Sequence, residues 1–344
     1  MKQLTTRYEI NFETYELAPE RYTLVDVRSP GEYEESTITG AVNIPLFSDF
    51  ERKAVGTVYK EQGKAEAVRL GVSYVSRSLE RIYESFEKLT APKKKFLIFC
   101  ARGGMRSEAV AGFVNSVGLG AIRLEKGYKA YRNHILEQLP LMANKFDFVT
   151  LYGKTGTGKT QVLKEIEKLG GNILDLEAAA NHRGSVFGSV GLGAVHSQKC
   201  FETMIYDALK KASGQVLFAE GESRRIGKVY IPDIIFEKMG KGKKILIEAK
   251  IPTRVRIIRE DYLHTGFTKE ETLEALSQLV KYIGHERIKE YTALLDKEDY
   301  DTLIEELMLR YYDLTYNTKH VSTGITVVNE RPEKTAGEIL KSFD

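Results

Sequence analysis

Residues 146–160 read Phe-Asp-Phe-Val-Thr-Leu-Tyr-Gly-Lys-Thr-Gly-Thr-Gly-Lys-Thr. The apolar run at 146–151 has the length and composition of a buried strand. Residues 153–160 fit the pattern Gly-x-x-x-x-Gly-Lys-Thr between that strand and a predicted helix, and loops of this kind surround a diphosphate with backbone N–H groups. The stretch therefore predicts a parallel α/β domain whose phosphate-binding residues are Gly153, Gly156, Gly158, Lys159 and Thr160, with the Thr160 hydroxyl also reaching Mg²⁺.

The loop motif does not specify which group the bound diphosphate is attached to. We find no clear guanine-selecting or adenine-selecting motif, so kinase, NTPase and diphosphate-handling functions all stay open. Downstream, the run at 216–219 predicts a strand that ends at Glu220 and Glu222. These carboxylates are candidates for metal binding, and the alternative is an exposed acidic turn.

A second loop lies upstream, where a fully apolar strand at 96–99 ends at Cys100 and is followed by Ala-Arg-Gly-Gly-Met-Arg-Ser. Glycines let the backbone N–H groups curl around one point, and the next helix N-terminus and Arg106 add positive potential. Such surroundings lower the pKa of a thiol and bind an anion. We predict Cys100 and Arg106 as catalytic residues, against the alternative of a buried cysteine beside an ordinary glycine turn.

Strands and helices alternate on both sides of these loops, which predicts mainly parallel sheets. Further strands are expected at 22–27, 41–44, 121–124, 172–174, 215–219 and 244–248. Helices are expected at 75–89, 107–117 with Ser107 as N-cap, 128–139 ending at Pro140, 196–211, 268–282 and 285–316. The predicted domains are an α/β domain at 1–140, the phosphate-loop domain at 146–265, and its mainly helical extension at 266–344.

Composition restricts the class of protein. A chain of 344 residues favours two domains, and 42% hydrophobic with 29% charged residues is typical of a soluble globular protein. A net charge of +3 does not by itself indicate nucleic-acid binding. No secretion signal or membrane span is evident, so we expect a cytoplasmic protein with no membrane partner.

The cysteine count and the basic clusters are also informative. The two cysteines, Cys100 and Cys200, lie outside any disulfide or zinc pattern, and Cys200 is expected to be a packed structural thiol. The basic clusters at 93–95 and 241–244 are interpreted mainly as solvated surfaces. Arg254, Arg256 and Arg259 are weak candidates for phosphate contacts, and helical spacing does not place them on one face.

The stretch at 175–188 is too polar and too rich in glycine to be a core element, which is typical of a functional loop. Glu177, Asn181, His182 and Arg183 are its candidates for substrate, phosphate or RNA contact. For His182 the alternative is a surface or capping role.

The cysteine loop resembles the active-site loop of the rhodanese superfamily, together with Leu-Val-Asp-Val-Arg-Ser-Pro at 24–30 and Gly-Ala-Val-Asn-Ile-Pro at 40–45. The resemblance implies a cysteine that carries sulfur or selenium, with Asp26 and Arg28 mainly structural. Five residues separate Cys100 from Arg106, a wider loop than ordinary rhodaneses have. Because related cysteine phosphatases share this spacing, phosphatase chemistry stays open.

The blocks at 51–60, 175–188, 198–202 and 220–227 together resemble the tRNA 2-selenouridine synthase family, and the likeness extends to about residue 265. This resemblance implies a tRNA partner with 2-thiouridine in its anticodon loop, and geranyl diphosphate and selenophosphate as substrates. It implies no tightly bound cofactor apart from Mg²⁺ at the phosphate loop, and an enzyme that supplies selenophosphate as a further partner. Arg183, Arg224 and Arg225 become candidates for tRNA contact.

Two alternatives belong to other classes. A cysteine phosphatase or sulfurtransferase fused to a nucleotide-dependent kinase predicts ATP turnover that is indifferent to RNA. A non-enzymatic nucleotide-gated tRNA-binding or sulfur-carrier module predicts that Cys100→Ala preserves function. Neither explains the motif blocks between 175 and 227.

Overall fold

The computed structural model describes residues 9–263, 266–315 and 324–343. The chain divides into two compact units, Met1–Glu137 and Gln138–Asp344, and the division falls within a helix. Residues 1–8, in the N-terminal stretch where no secretion signal is evident, lie outside the described residues. So does Tyr316, the last residue of a predicted helix. Within the described ranges no helix is both long and apolar enough to cross a membrane.

The first unit contains a parallel five-stranded sheet in the order β1-β5-β4-β2-β3. Its strands are β1 Glu9–Ile10, β2 Tyr22–Asp26, β3 Val42–Asn43, β4 Lys95–Phe99 and β5 Ala121–Leu124. Its helices are α1 Phe12–Glu16, α2 Pro30–Glu35, α3 Asp49–Glu61, α4 Lys64–Val75, α5 Leu79–Lys88, α6 Met105–Ser116 and α7 Tyr128–Ala143. The β4 run is buried from Phe96 to Phe99, as expected for a central parallel strand covered on both faces.

Three predicted helix limits in this unit are wrong. The helix expected from residue 75 begins at Leu79, because the chain turns through serines whose hydroxyls bond nearby carbonyl groups. Ser107 is not an N-cap, since α6 begins at Met105 and the Ser107 hydroxyl donates back to the Gly104 carbonyl. Pro140 lies inside α7 rather than after it. The exposed Leu136 is the residue whose carbonyl loses its helical partner there, so solvent lowers the cost.

The second unit contains a parallel sheet in the order β12-β11-β6-β8-β7 and a β9–β10 hairpin. Its strands are β6 Asp147–Tyr152, β7 Ile173–Leu174, β8 Val216–Glu220, β9 Arg225–Ile226, β10 Val229–Tyr230, β11 Lys243–Glu248 and β12 Ile325–Val328. Its first helices are α8 Lys159–Lys168, α9 Leu176–Ala180, α10 Gln198–Lys211, α11 Asp233–Lys241 and α12 Ile251–Leu263. Because β6 and β8 are parallel neighbours, the phosphate loop and Glu220 emerge at the same sheet edge.

The C-terminal region is helical but more broken than predicted. The helices are α13 Lys269–Gln278, α14 Val280–Ile283, α15 His285–Asp296, α16 Tyr300–Leu307, a π-helical turn Met308–Tyr312, α17 Asp313–Thr315 and α18 Pro332–Lys341. The long helices expected at 268–282 and 285–316 are therefore interrupted. Two further elements were not predicted from the sequence. Strand β12 joins the phosphate-loop sheet beside β11, and helix α18 contributes Ala336 and Ile339 to the same core. The prediction of two parallel α/β units with a helical C-terminal region is otherwise confirmed.

Candidate functional sites

The loop between β4 and α6 closes around the sulfur of Cys100. Its Sγ lies 3.3 Å from the Ser107 hydroxyl and 3.9 Å from the Gly104 carbonyl oxygen. Gly103 has φ of +65°, and a Cβ there would lie 2.8 Å from the backbone nitrogen of Lys126. This turn therefore requires glycine, and it brings the thiol to the N-terminus of α6.

The surroundings of Cys100 favour a thiolate. Burial raises the pKa of this thiol, because it disfavours the charged form. The Ser107 hydroxyl, the backbone N–H groups of Ser107 and Arg102, and the charge of Arg106 together outweigh burial and lower the pKa below its ordinary value. Burial alone acts on Cys200 in α10 and raises the pKa of that thiol. Cys100 is therefore the better nucleophile of the two.

Arg106 is held by a carboxylate that the sequence analysis did not predict. Its Nη1 donates to Glu32 Oε2 at 2.6 Å, and its Nη2 to Oε1 at 3.3 Å. Burial raises the pKa of Glu32, but the hydrogen bonds and charge of Arg106 overcome this and lower it to about 2. Glu32 also accepts from the Ser29 N–H at the start of α2. The sequence signals for Glu32 are its place after Pro30 in the rhodanese-like stretch and its capping-box spacing from Ser29, and neither signal indicates a contact with Arg106.

Asp26 and Arg28 form a buried pair beneath this loop. Arg28 Nε donates to Asp26 Oδ1 at 3.0 Å, and Arg28 Nη2 donates to the Ser36 carbonyl at 2.6 Å. The guanidinium also lies over the Tyr128 ring, 4.1 Å from its centroid. These contacts agree with the structural role expected for both residues.

The phosphate loop connects β6 to α8, as the motif predicts. Gly156 and Gly158 have φ of +79° and +83°, and a Cβ at Gly156 would lie 2.7 Å from Ile258 Cδ1. Lys159 Nζ donates to the Gly153 carbonyl at 3.0 Å. The loop N–H groups, the N-terminus of α8 and the Lys159 ammonium thus form one site with positive potential for a diphosphate.

Residues distant in sequence support this loop from behind. Arg254 Nε donates to the Thr155 carbonyl at 2.8 Å, and the same guanidinium pairs with Asp313 at 2.6 and 2.9 Å. Asn329, at the end of β12, donates to the Thr157 carbonyl at 2.8 Å. The suggestion that Arg254 contacts nucleic acid is wrong, because its side chain is buried against the loop.

Three carboxylates converge beside the loop. Oxygen atoms of Glu177, Glu220 and Glu222 all lie within 4.8 Å of one another, and the Thr160 hydroxyl lies 3.4 Å from Glu177. Neither oxygen of Glu220 has a hydrogen-bond partner in the described part of the chain. Lys159 is the nearby cation that acts on all three. Fully ionised, the group would therefore carry more negative charge than its surroundings compensate.

The pKa values of all three carboxyl groups are raised in these surroundings. Burial is the largest cause, and it raises the pKa of Glu177 to about 8 and that of Glu222 to about 7, with the neighbouring carboxylates adding to both. The pKa of Glu220 is also raised well above its ordinary value by burial and by the charges of Glu177 and Asp175. Oxygen donors in this arrangement suit a hard divalent cation.

Comparison with known proteins identifies the family. Residues 146–342 match the family model described as "tRNA 2-selenouridine synthase AAA domain", and residues 13–134 match the "Rhodanese-like domain". A tRNA 2-selenouridine synthase from Sulfurovum sp. (strain NBC37-1) is 32% identical, and the match covers 86% of this chain and 87% of that protein. Another from Pseudomonas putida (strain GB-1) is 35% identical, with coverage of 79% and 78%.

The chain belongs to the tRNA 2-selenouridine synthase family. The expectation drawn from the motif blocks is thereby confirmed, and one family model matches residues in each α/β unit. The expected end of the likeness near residue 265 is wrong, because the AAA-domain match continues to residue 342. The rhodanese-like domain contains Cys100, and the AAA domain contains the phosphate loop and the carboxylate cluster.

In this member of the family, the stretch at 175–188 is only partly a loop, since it begins with helix α9, whose Leu176 and Ala180 are buried in the core. Its polar residues have two different tasks. Asn181 donates to the Leu192 and Ala194 carbonyls, and Arg183 donates to the Val190 and Asp261 carbonyls while stacking 4.5 Å from the Tyr262 ring centroid. These contacts fix the shape of the loop. Glu177 instead reaches the carboxylate cluster.

The remaining tRNA candidates lie in different surroundings. His182 accepts from the Gly184 N–H at 3.1 Å, and burial and the charge of Arg183 lower its pKa, so it is neutral at pH 7. The exposed Arg224 pairs with Asp233, which is also exposed. Arg224 is thus available to a large ligand at little cost, since surface ion pairs are weak.

Proposed function

We propose that this chain converts wobble 2-thiouridine of tRNA into 2-selenouridine through S-geranyl-2-thiouridine, using geranyl diphosphate and selenophosphate. The observation that carries the proposal is the pairing, in one chain of this family, of two dissimilar sites. One is a thiol whose pKa is lowered beside Arg106. The other is a diphosphate loop beside three carboxylates.

The first step is alkylation of the thiouridine sulfur. A bond forms between that sulfur and C1 of the geranyl group, while the C1–O bond breaks and diphosphate leaves with the electron pair. The N3 proton of the base is released to solvent, which gives the neutral S-geranyl product. Lys159 and the loop N–H groups stabilise the charge that develops on this leaving group. The phosphate loop would thus bind a prenyl diphosphate and would hydrolyse no nucleotide.

Magnesium fits the donor set beside the loop. Thr160, Glu177, Glu220 and Glu222 offer only oxygen donors, and Glu220 has two oxygen atoms without a hydrogen-bond partner in the described residues. When bound, Mg²⁺ would neutralise charge on the diphosphate. The carboxylates themselves would hold it and would lose their protons on binding.

The second step exchanges sulfur for selenium. Selenium in selenophosphate is already at the selenide level, so its bond to C2 can replace the C2–S bond, with geranylthiol leaving, without any oxidant. Attack of the Cys100 thiolate on phosphorus breaks the P–Se bond and leaves its electron pair on selenium, and water then releases phosphate and regenerates the thiol. Attack on selenium would instead reduce phosphorus. The loop of Cys100 and Arg106 therefore handles selenium by binding the phosphate group.

The tRNA would be held mainly through its phosphates, with the target base turned out of the anticodon loop. Arg224 and Arg225 are the strongest candidates because both are exposed near the hairpin of β9 and β10. An enzyme that makes selenophosphate is the further partner that the second step requires.

Mass spectrometry of tRNA nucleosides tests this function. Thiolated tRNA is incubated with the protein and Mg²⁺, adding geranyl diphosphate and selenophosphate singly and together. We expect S-geranyl-2-thiouridine with geranyl diphosphate alone and 2-selenouridine with both. If neither nucleoside forms under any condition, the proposal is wrong, and ATP turnover indifferent to RNA would favour a kinase instead.

A further inference from the structure

An apolar cavity lies next to the phosphate loop within the second unit. It is partly open to solvent, and the surface that lines it is almost entirely apolar. Its main apolar side chains come from three regions of the chain and are Phe187, Ile258, Phe267, Leu303 and Leu307. Small-molecule sites in proteins are typically lined mostly by apolar side chains with a few polar groups.

The cavity adjoins the diphosphate site on two sides. Thr155 of the phosphate loop lines it, and so does Ile258, which packs against Gly156. On the other side, Ser185 lines it directly after Gly184, where a Cβ would lie 2.6 Å from Glu222 Oε2. A ligand with its phosphates in the loop therefore has the cavity within reach of its remaining part.

The lining chemistry selects among diphosphate esters. Ser185, Tyr262 and Tyr312 also line the cavity, but almost none of its exposed surface is polar. A nucleobase buried there would leave most of its hydrogen-bonding groups unsatisfied at high cost. A branched hydrocarbon chain has no such groups and gains from leaving water.

We infer that this cavity is the binding site for the hydrocarbon chain of a prenyl diphosphate whose phosphates occupy the loop at 153–160. The inference rests on the proposed use of geranyl diphosphate and adds the location and the chemical basis of its recognition. It also accounts for the helices α12, α13 and α16, which carry no motif yet enclose the cavity with the loop at 185–187.

Calorimetric titration of the full chain with Mg²⁺ tests the inference directly. The ligands are inorganic pyrophosphate, dimethylallyl diphosphate, geranyl diphosphate and ADP. We expect affinity to increase in the order pyrophosphate, dimethylallyl, geranyl, with a step of about tenfold or more for the added five-carbon unit. ADP should bind no more tightly than pyrophosphate. Equal affinities for pyrophosphate and geranyl diphosphate, or tightest binding of ADP, would overturn the inference.

A pair of variants at one lining position tests where the hydrocarbon chain of the ligand binds. Leu303→Phe should fill the cavity and reduce geranyl diphosphate affinity at least about tenfold while leaving pyrophosphate affinity unchanged. Leu303→Met, which nearly conserves volume, is the matched control and should bind both ligands like the unaltered protein. If Leu303→Phe binds geranyl diphosphate normally, the hydrocarbon chain of the ligand does not occupy this cavity, and the inference is wrong. If Leu303→Phe also loses affinity for pyrophosphate, the substitution has damaged the fold. The titrations of the unaltered protein with the four ligands then decide between the outcomes.

These titrations contain neither tRNA nor selenophosphate. Chain-length-dependent binding without any tRNA product would refute the proposed function and leave the cavity assignment intact. Normal tRNA geranylation, together with affinities that do not depend on the length of the hydrocarbon chain, would refute the cavity assignment and leave the proposed function intact.

Discussion

Glu222→Gln tests the charge imbalance of the carboxylate cluster. The pKa of Glu222 is raised from 4.5 to about 7 in the folded protein, so the folded state holds this proton more tightly than the unfolded state does. At about 1.4 kcal/mol per pKa unit, ionising it costs the folded state at most about 3 kcal/mol. This cost is absent below pH 4.5, grows as the pH rises, and is complete above pH 7.

The neutral amide removes that cost. Without divalent ions, we expect Glu222→Gln to be more stable than the unaltered protein at pH 8.5, by up to about 3 kcal/mol, and the difference to shrink towards pH 5. Denaturant unfolding in chelator at both pH values measures it. Mg²⁺ with pyrophosphate should reverse the ranking, because a ligand that binds the folded state stabilises the protein with the intact site.

The matched control is Glu237→Gln on α11, since Glu237 is exposed and its ion pair with Lys241 lies at the surface. Its stability should change little at either pH. A Glu222→Gln variant that is less stable than the unaltered protein at pH 8.5, or equally affected at both pH values, would refute the reasoning about the cluster.

Three further predictions concern the two loops. Labelling by iodoacetamide, followed by mass spectrometry of the labelled peptides, should reach half its maximal rate at a lower pH for Cys100 than for Cys200, because only the first thiol has a lowered pKa. Comparing each thiol with its own maximal rate removes the effect of the deeper burial of Cys100. Coincident pH profiles would contradict this prediction. Glu32→Gln should move the pH profile of Cys100 labelling, since Arg106 loses its charged partner, and an unchanged profile would count against the pair. Asn329→Ala should weaken pyrophosphate binding several-fold by calorimetry while Cys100 labelling stays normal.

The phosphate loop and the Cys100 loop could both be predicted, because each is formed by residues that are close together in the sequence. In both, an apolar strand, a glycine turn and a helix start lie within about twenty residues, so motif and geometry coincide. The carboxylate cluster was only partly predicted. Glu220 and Glu222 were expected near a metal, whereas Glu177 was read as a substrate or RNA contact, because nothing in the sequence shows that α9 brings it to the same point.

The supporting residues were missed for the opposite reason. Asn329 and Thr157 are 172 positions apart, and Arg106 and Glu32 are 74 apart, so no local pattern connects them. Strand β12 escaped prediction because it is a four-residue edge strand, largely exposed, without alternating burial. The apolar cavity was invisible for a similar reason, since its lining comes from helices whose apolar residues look like ordinary core.

The central claim is that the Cys100 loop handles selenium and the phosphate loop handles the geranyl donor. Nucleoside mass spectrometry of tRNA treated with both substrates and with Cys100→Ser or Lys159→Ala tests it most directly. We predict that Cys100→Ser accumulates S-geranyl-2-thiouridine without 2-selenouridine. Lys159→Ala should form neither from thiolated tRNA, yet should still selenate tRNA that is already geranylated. Intact selenation by Cys100→Ser, with Lys159→Ala still geranylating but not selenating, would contradict the claim.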